Sequence, residues 1–580
     1  MKVNLVNENF KEEYLKNLLA TRGVEDIDVF LNPPDSCLQD PGLLDNIDIG
    51  VQWLNETLEK ENSTILLIVD CDVDGFTSSA IIYNYIKQIN PSQDIVYFLH
   101  EGKQHGLEDH IDLILNCDKH FDLIILPDSS SNDYNEHELL GTQEHTRCLV
   151  LDHHEIDENT KLSKFACIIN NQLSTHYDNK NLTGAGVTWQ FCRYHERQTY
   201  GHTSIAEELI DLAALGICGD MGSVLQLENR YIMKQGFENI HNYFFQCAIE
   251  RQSYSMGGAV NPITVAFYIV PMMNAMIRIG TMQEKSRLFK ALVDGKEMVP
   301  SQKRGAKGTL EQLAIESIRE CINAKSKQDR ITDQMVEKLE QQIYKYDLLE
   351  NKILFVRLDF NSNYPSEIVG LCAMKLAARF KRPTIVARLN LEGYDRGSIR
   401  NVSNCELKDL KAFLNNSGFF EYVQGHANAA GCSIKNDNLK AFHEYANEAL
   451  KDINFSENSY DVNFERTVND NDLSALVYAL GAHPELWGQQ NPEPLIFVHD
   501  IFVNPSEIRI MGANKDTLKI EKGDISFIKF HAKDMITQLE KCNEIKLNIV
   551  GRANINEWQG TTSPQIFIEN YEVIDGLLEF

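Results

Sequence analysis

Residues 64–80 read TILLIVDCDVDGFTSSA, an apolar, largely β-branched run that breaks into aspartates at alternate positions, Asp70, Asp72 and Asp74. Along an extended strand, residues two apart share a face. The spacing therefore predicts that the three carboxylates converge until the chain turns at Gly75. The C-terminal end of a parallel strand is where α/β proteins build sites. Clustered anions in a partly buried place are costly unless a cation is present or some are protonated. Two other readings account for the pattern. The D-x-D-x-D-G spacing matches a calcium loop, but that loop needs a glutamate at its twelfth position, where this chain has Ile81. Alternatively, the aspartates cap a helix near Thr77–Ser79.

Working outward, DIVYFL (94–99), DLIILPD (122–128), RCLVLDHH (147–154) and FACIIN (165–170) are further short apolar runs with helical patterns such as SSAIIYNYIKQI (78–89) between some of them. Continuous rather than alternating apolar runs predict strands buried on both faces of a parallel sheet. GAGVTWQFCRYHE (184–196) and SIAEELIDLAALGICGD (204–220) read as helices that follow. Residues 308–350, rich in Glu, Lys, Gln and Leu, predict long connecting helices. A second α/β segment starts at KILFVRLD (352–359) and runs through VQGHANAAGCSI (423–434). From about residue 494, short strands at close intervals give the rhythm of a small β-barrel. The fold class is α/β: two α/β domains joined by long helices, plus a C-terminal OB-like barrel. The expected boundaries are 1–50 (helical entry segment), 51–260, 261–350 (helical connector), 351–460 and 461–580.

With 580 residues, the chain is too long for one core. Its 55 Lys and Arg against 84 Asp and Glu give a net charge of −29, which argues against nonspecific binding to nucleic acid or an anionic membrane. It leaves room for a local basic groove or a bound metal that reverses the field. The 13 cysteines have no C-x-x-C spacing and read as reduced thiols. The polar, amphipathic N-terminus lacks a signal-peptide core, and no run of about 18 apolar residues is found. The expectation is a soluble cytoplasmic protein.

Further candidate ligands fall at corresponding places. Asp128 ends one apolar run, Asp152, His153 and His154 end another, and Asp220 ends a helical pattern. Carboxylate and imidazole without thiolate suits Mn²⁺ or Mg²⁺ better than structural zinc. The number of ligands is enough for two ions, and a pair about 3.5–4 Å apart activates water and stabilises the leaving oxygen in phosphodiester hydrolysis.

DCDVDG, PDSSS, DHH and GDMGSV, in this order, resemble the four motifs of the DHH phosphoesterase superfamily, and the resemblance extends to the RecJ-like exonucleases specific for single-stranded DNA. EIVGLCAMKLAARFKRPTIV, RGSIRN and GHANAAGCSI are similar to the DHH-associated domain, and WGQQNPEPLIF with NIVGRANINEWQGTTSPQIFIEN to the family's OB-type domain. The resemblance implies metal-dependent 5′→3′ degradation of single-stranded DNA in repair or recombination, with Mn²⁺ or Mg²⁺ as a pair of ions. By motif it implies Asp70, Asp72, Asp74, Asp128, His153, His154 and Asp220 as the metal set, Asp128 as the bridging carboxylate, and Asp152 as a ligand or as the residue orienting a histidine. Asp128, Asp152, His153 and His154 are the implied catalytic group. Asn274, Arg278, Ser398, Arg400, Gly425 and His426 are implied along the DNA path, and Trp558 in the barrel as a stacking residue. The implied partners are single-stranded DNA and, through the barrel, replication or repair proteins; a monomer without membrane attachment is expected. The alternative is a phosphodiesterase of the same superfamily acting on short RNA oligomers or cyclic dinucleotides.

A chain this acidic needs local cations to hold DNA. Two stretches offer them: Lys303, Arg304 and Lys307, and Lys375, Arg379, Lys381 and Arg382. In the tail, Phe527, Phe530 and Phe567 are further candidates for base stacking or for the core.

Overall fold

The run Thr64–Val69 forms a strand, β1, buried along its whole length. It belongs to a parallel sheet with β2 (Asp94–Leu99), β3 (Leu123–Pro127), β4 (Arg147–Asp152) and β5 (Ala166–Asn170), in the order β2–β1–β3–β4–β5. Alternate residues enter two different cores. Ile65, Leu67, Val69, Ile125, Leu149 and Leu151 pack on one face, and Leu66, Ile68, Ile124, Leu126, Cys148 and Val150 on the other. Burial on both faces is why these strands carry no polar alternation. The edge strand β2 is only half-buried.

Four helices on the first face position the site: α1 (Val73–Ile89), α2 (Gly184–Tyr200), α3 (Ile210–Gly219) and α4 (Val270–Ile279). The α1, α2 and α3 helices pack on one another, and α4 packs on α1 and α3. The strand ends at Val69 and α1 begins at Val73, so Asp70, Asp72 and Asp74 do not share one extended face. The reason is local: Asp72 is the N-cap of α1 and accepts a hydrogen bond from Gly75 N at 3.0 Å. The cap lies earlier than the Thr77–Ser79 expected.

The computed structural model describes residues 1–102, 104–156, 160–359, 363–390, 392–541, 545–558 and 560–575, with only the backbone at Trp558 and Asp575. It divides into two units. The first holds residues 26–329 and 485–491, and the second holds 1–25, 330–484 and 492–580. Instead of several connecting helices, a single 33-residue helix, α5 (Leu313–Lys345), carries the chain from the first into the second. A short hairpin, Met298–Pro300 with Leu310–Gln312, precedes it. Contrary to the reading of apolar runs, one helical stretch, Pro262–Ile279, is long and apolar enough by composition to cross a membrane. Half of it is buried: Val265, Ile269, Met273 and Ile277 are packed into the core of the first unit, whereas Phe267 and Tyr268 are exposed.

The second unit contains a mixed sheet of β6 (Leu354–Leu358), β7 (Thr384–Leu389), β8 (Tyr394–Arg400), β9 (Phe420–His426) and β10 (Ala429–Lys435), in the order β9–β10–β8–β7–β6. A seven-stranded sheet follows, running from Phe464–Thr467 to Ile508–Met511 through the long hairpin Ile545–Trp558 with Thr561–Asp575. The N-terminal strand Lys2–Leu5 pairs with Ser459–Val462 in this unit.

Candidate metal centre

Three adjacent strands end at the site. Asp70 follows β1, Asp128 follows β3, and Asp152 closes β4 just before His153 and His154. Asp128 has φ 64°, in the left-handed region where aspartate is among the few tolerated residues. Its backbone N–H donates to Leu151 O at 2.8 Å, which fixes the turn between strands.

The helices bring the remaining groups. Asp74, wholly buried in the first turn of α1, accepts Thr183 Oγ1 at 2.9 Å, Gly184 N at 2.7 Å and Ala185 N at 3.1 Å. It thereby seats an anion on the N-terminus of α2. A Cβ on Gly184 would stand 2.4 Å from Asp128 Oδ1, so only glycine lets α2 approach this closely. Asp220 is the C-cap of α3; 42% of its side chain is open to solvent, while the carboxyl itself is set among the acids of the site and partly desolvated there.

All seven sequence-predicted ligands are brought together. Asp70, Asp72 and Asp128 form one group, Asp128, His153 and His154 a second, and Asp74, His153 and Asp220 a third; within each, ligand atoms lie within 4.8 Å of one another. His153 Nε2 stands 3.1 Å from Asp128 Oδ1, 3.6 Å from Asp220 Oδ2 and 3.9 Å from Asp74 Oδ2. Asp152 plays a different part. Its Oδ1 accepts His153 N at 2.7 Å, His154 N at 3.1 Å and His154 Nδ1 at 2.8 Å, and its Oδ2 accepts Ser131 N at 3.1 Å. With both oxygens engaged, Asp152 is a positioning residue that fixes the His154 ring.

The electrostatics describe a site short of positive charge. Burial, reinforced by Asp74, Asp72, Asp70 and Asp220, raises the Asp128 carboxyl well above its ordinary range. Burial likewise raises Asp70 and Asp74. Asp220 is pushed up to about 8 by burial and its carboxylate neighbours. Burial lowers His153. At His154 burial acts downward too, but the Asp152 bond and surrounding carboxylates outweigh it and push the ring up to about 9. Asp70 Oδ1, Asp128 Oδ1 and His153 Nε2 are buried without a hydrogen bond among the described residues. Unsatisfied buried oxygens and an imidazole nitrogen, with carboxyls held above their ordinary range for want of a counter-charge, fit a hard or borderline divalent cation.

Sequence reasoning missed His105, Cys71 and His100. His105 Nδ1 lies 2.7 Å from Asp70 Oδ2, and buried His100 has its Nε2 3.9 Å from Asp70 Oδ1. The repeated histidines of the loop after β2 are the only signal for them.

The predicted nucleic-acid residues divide between the units. Asn274 and Arg278 lie on α4; Asn274 Oδ1 is buried without a hydrogen bond, and no ion pair of Arg278 is found among the described residues. In the second unit, Ser398 and Arg400 lie on β8, and Gly425 and His426 end β9. Ser398 lines a cleft of about 690 Å³ with Arg388, Arg396 and Tyr422. Gly425 has φ 127°, and a Cβ there would meet Ala430 Cα at 2.9 Å. The Trp558 side chain lies outside the described residues. Phe527 is buried in its sheet, whereas Phe530 is exposed with its ring 5.4 Å from that of Phe567. Of the basic stretches, Lys375 and Arg379 are ion-paired to Asp333 and Glu340 of α5, and Arg382 donates to Asn351 O. Lys303, Arg304 and Lys307, in the loop of the short hairpin, are exposed and have no ion pair among the described residues.

The chain is similar to known families and proteins. The model of the DHH family N-terminal domain matches residues 64–217, and that of the RecJ OB domain matches 467–570. A putative SPbeta prophage-derived single-strand DNA-specific exonuclease, YorK, of Bacillus subtilis is 35% identical, over 99% of this chain and 98% of that protein. The single-stranded-DNA-specific exonuclease RecJ of the same organism is 24% identical, over 96% of this chain and 67% of that protein. Among solved structures, RecJ of Thermus thermophilus in complex with Mn²⁺ superposes with a TM-score of 0.71 at 19% identity, covering 98% of this chain and 79% of that one.

Proposed function

The chain belongs to the RecJ family of single-strand DNA-specific exonucleases, and from that membership we propose that it hydrolyses single-stranded DNA from the 5′ end in a Mn²⁺- or Mg²⁺-dependent reaction that uses two ions. The observation that carries this reading is the gathering of Asp70, Asp72, Asp74, Asp128, His153, His154 and Asp220, among which Asp70 Oδ1, Asp128 Oδ1 and His153 Nε2 are buried without a hydrogen bond among the described residues. These residues would hold the ions. Such ions, when bound, lower the pKa of water and neutralise charge on the scissile phosphate.

The chain's own groups do the arranging. Asp152, by accepting Nδ1–H, orients the His154 ring, so that Nε2 is the nitrogen that would give up its proton and bind an ion. Asp74 locks α2 against α1, which holds Gly184 beside Asp128. Arg278, free of carboxylate partners among the described residues, is suited to a bidentate bond with a phosphate. Lys303, Arg304 and Lys307, without an ion pair among the described residues, give a −29 chain a local place for the backbone of the strand. A role in repair or recombination, in the cytoplasm, goes with this activity.

The test is digestion of single- and double-stranded DNA labelled at either end, with and without Mn²⁺, alongside a length series of RNA and DNA oligomers. Release of mononucleotides from 5′ ends of long single strands, only with the cation, is expected. Preference for fragments of a few nucleotides over long DNA would instead assign the chain to the oligonucleotide phosphodiesterases of the superfamily.

A further inference from the structure

The loop after β2 folds back to place His105 against Asp70. His105 Nδ1 lies 2.7 Å from Asp70 Oδ2, so this nitrogen carries a proton and the carboxylate accepts it. The loop is itself tied down beside the centre. Leu107 is buried in the core on the second face of the sheet, and its N–H donates to Asp133 Oδ2 at 2.9 Å. Asp133 stands in the turn that follows Asp128, where its own N–H donates to Ser130 O at 3.4 Å. Between His105 and Leu107, Gly106 has φ 73°, and a Cβ there would stand 2.5 Å from Asp133 Oδ2. His105 is therefore presented by an anchored backbone, although 56% of its side chain is open to solvent.

The two oxygens of Asp70 are unlike. Oδ2 is taken by His105, whereas Oδ1 is buried without a hydrogen bond among the described residues. His100 Nε2, at 3.9 Å, is beyond hydrogen-bonding distance of Oδ1. A carboxylate held through one oxygen presents the other to an ion in a fixed direction. The pair inverts the one at Asp152 and His154. There a carboxylate orients an imidazole that would hold an ion; here an imidazole orients a carboxylate that would. The two pairs also serve different groups of candidate ligands. His154 stands with Asp128 and His153, and Asp70 with Asp72 and Asp128.

Building on the two-ion centre proposed above, we propose that His105 is a positioning residue for one ion alone, the one that Asp70, Asp72 and Asp128 would hold. It acts by holding Asp70 Oδ2, so that Oδ1 faces that ion, and it supplies no ligand atom itself. The second ion, on the side of His153 and His154, does not depend on it.

Calorimetric Mn²⁺ titration of the metal-free full chain tests this without using nuclease activity. The wild type is expected to bind two ions. In His105→Ala one of the two is expected to bind about 10–100-fold more weakly, with the other unchanged. His105→Asn puts an amide N–H where Nδ1 stood and is expected to restore most of the loss. His105→Gln puts its amide where Nε2 stood and is expected to restore little. Adding Asp152→Asn to His105→Ala is expected to weaken the second ion as well. Near-ultraviolet circular dichroism reports the fold of each variant, and the contrast of Asn with Gln carries the test should the alanine variant not fold. Wild-type affinity for both ions in folded His105→Ala overturns the role. Equal weakening of both ions overturns the assignment to one. An Asn variant no better than the Ala or Gln variant overturns the hydrogen bond as the means. A wild type that binds no Mn²⁺ overturns the metal centre itself, a result distinct from normal wild-type binding with indifferent His105 variants.

Discussion

His154 Nδ1 donates to Asp152 Oδ1 at 2.8 Å, and the same oxygen also receives the backbone N–H groups of His153 and His154. One buried carboxylate therefore sets both the ring orientation and the path of the chain at the two histidines. Burial would raise the Asp152 carboxyl, but its bonds and the neighbouring imidazoles hold it far below the usual carboxylate range. Replacing Asp152 by Asn keeps the shape and removes the charge. The expected result is Mn²⁺ affinity lower by about 10–100-fold, with the fold retained. Calorimetric Mn²⁺ titration and near-ultraviolet circular dichroism of the variant check this.

Asp74 predicts a stability effect separate from metal binding. Its two oxygens take three donors at the start of α2. Asn supplies one acceptor and one unwanted donor there. Asp74→Asn is expected to destabilise the metal-free protein by about 1–3 kcal/mol, read by denaturant unfolding.

Gly184→Ala places a methyl group 2.4 Å from Asp128 Oδ1. Neither Asp128, pinned at φ 64°, nor α2, pinned by Asp74, can withdraw cheaply. Activity is expected to fall by at least about 100-fold, since a 1 Å misplacement near a reacting centre costs that much. Assay at saturating Mn²⁺ distinguishes this from simple loss of metal affinity.

The carboxylate cluster makes stability of the metal-free protein pH-dependent. Asp220 has a folded-state pKa of about 8, against an ordinary 3.8, so the folded state binds the proton more tightly. Its favourable contribution is complete below the ordinary value and is lost as pH rises through about 8. His154, raised from 6.5 to about 9, acts in the same sense and loses its contribution as pH rises through about 9. His153, lowered by burial, acts oppositely on the acid side of its ordinary 6.5. In chelator the melting temperature is therefore expected to fall between neutral pH and about 9, and in Mn²⁺ to stay flat, because the cation replaces the protons. Scanning calorimetry across that range reads the difference.

Much of the fold was legible because strands buried on both faces leave continuous apolar runs, and all five of those after Ser63 became β1–β5. The site residues were legible as types because aspartates and histidines at strand ends have few other uses. The reason for the convergence was not. Strand alternation suggested one face for Asp70, Asp72 and Asp74, but a helix start at Val73 intervenes, and Asp74 reaches the centre through α1. Its bond to Gly184 spans 110 positions, although the T-G-A-G opening of α2 is the kind of helix start that accepts an anion. His105 and Cys71 escaped notice because their contact depends on how the loop after β2 folds back, which no local spacing encodes.

Arg278→Ala is expected to raise KM for single-stranded DNA about tenfold or more while stability changes by less than about 0.5 kcal/mol, since no carboxylate partner among the described residues is lost. Arg278→Lys is expected to restore little, because an ammonium cannot form the paired bonds of a guanidinium. Steady-state kinetics with long single strands and thermal melting check the two parts.

The central claim is that mutually repelling acids are gathered to hold cations. Anomalous diffraction from crystals of this protein soaked in Mn²⁺ tests it most directly. Two peaks enclosed by Asp70, Asp72, Asp74, Asp128, His153, His154 and Asp220 are predicted, with Asp152 bonded to His154 and outside both coordination shells. No peak among these side chains at saturating Mn²⁺, or peaks only elsewhere on the surface, would contradict it.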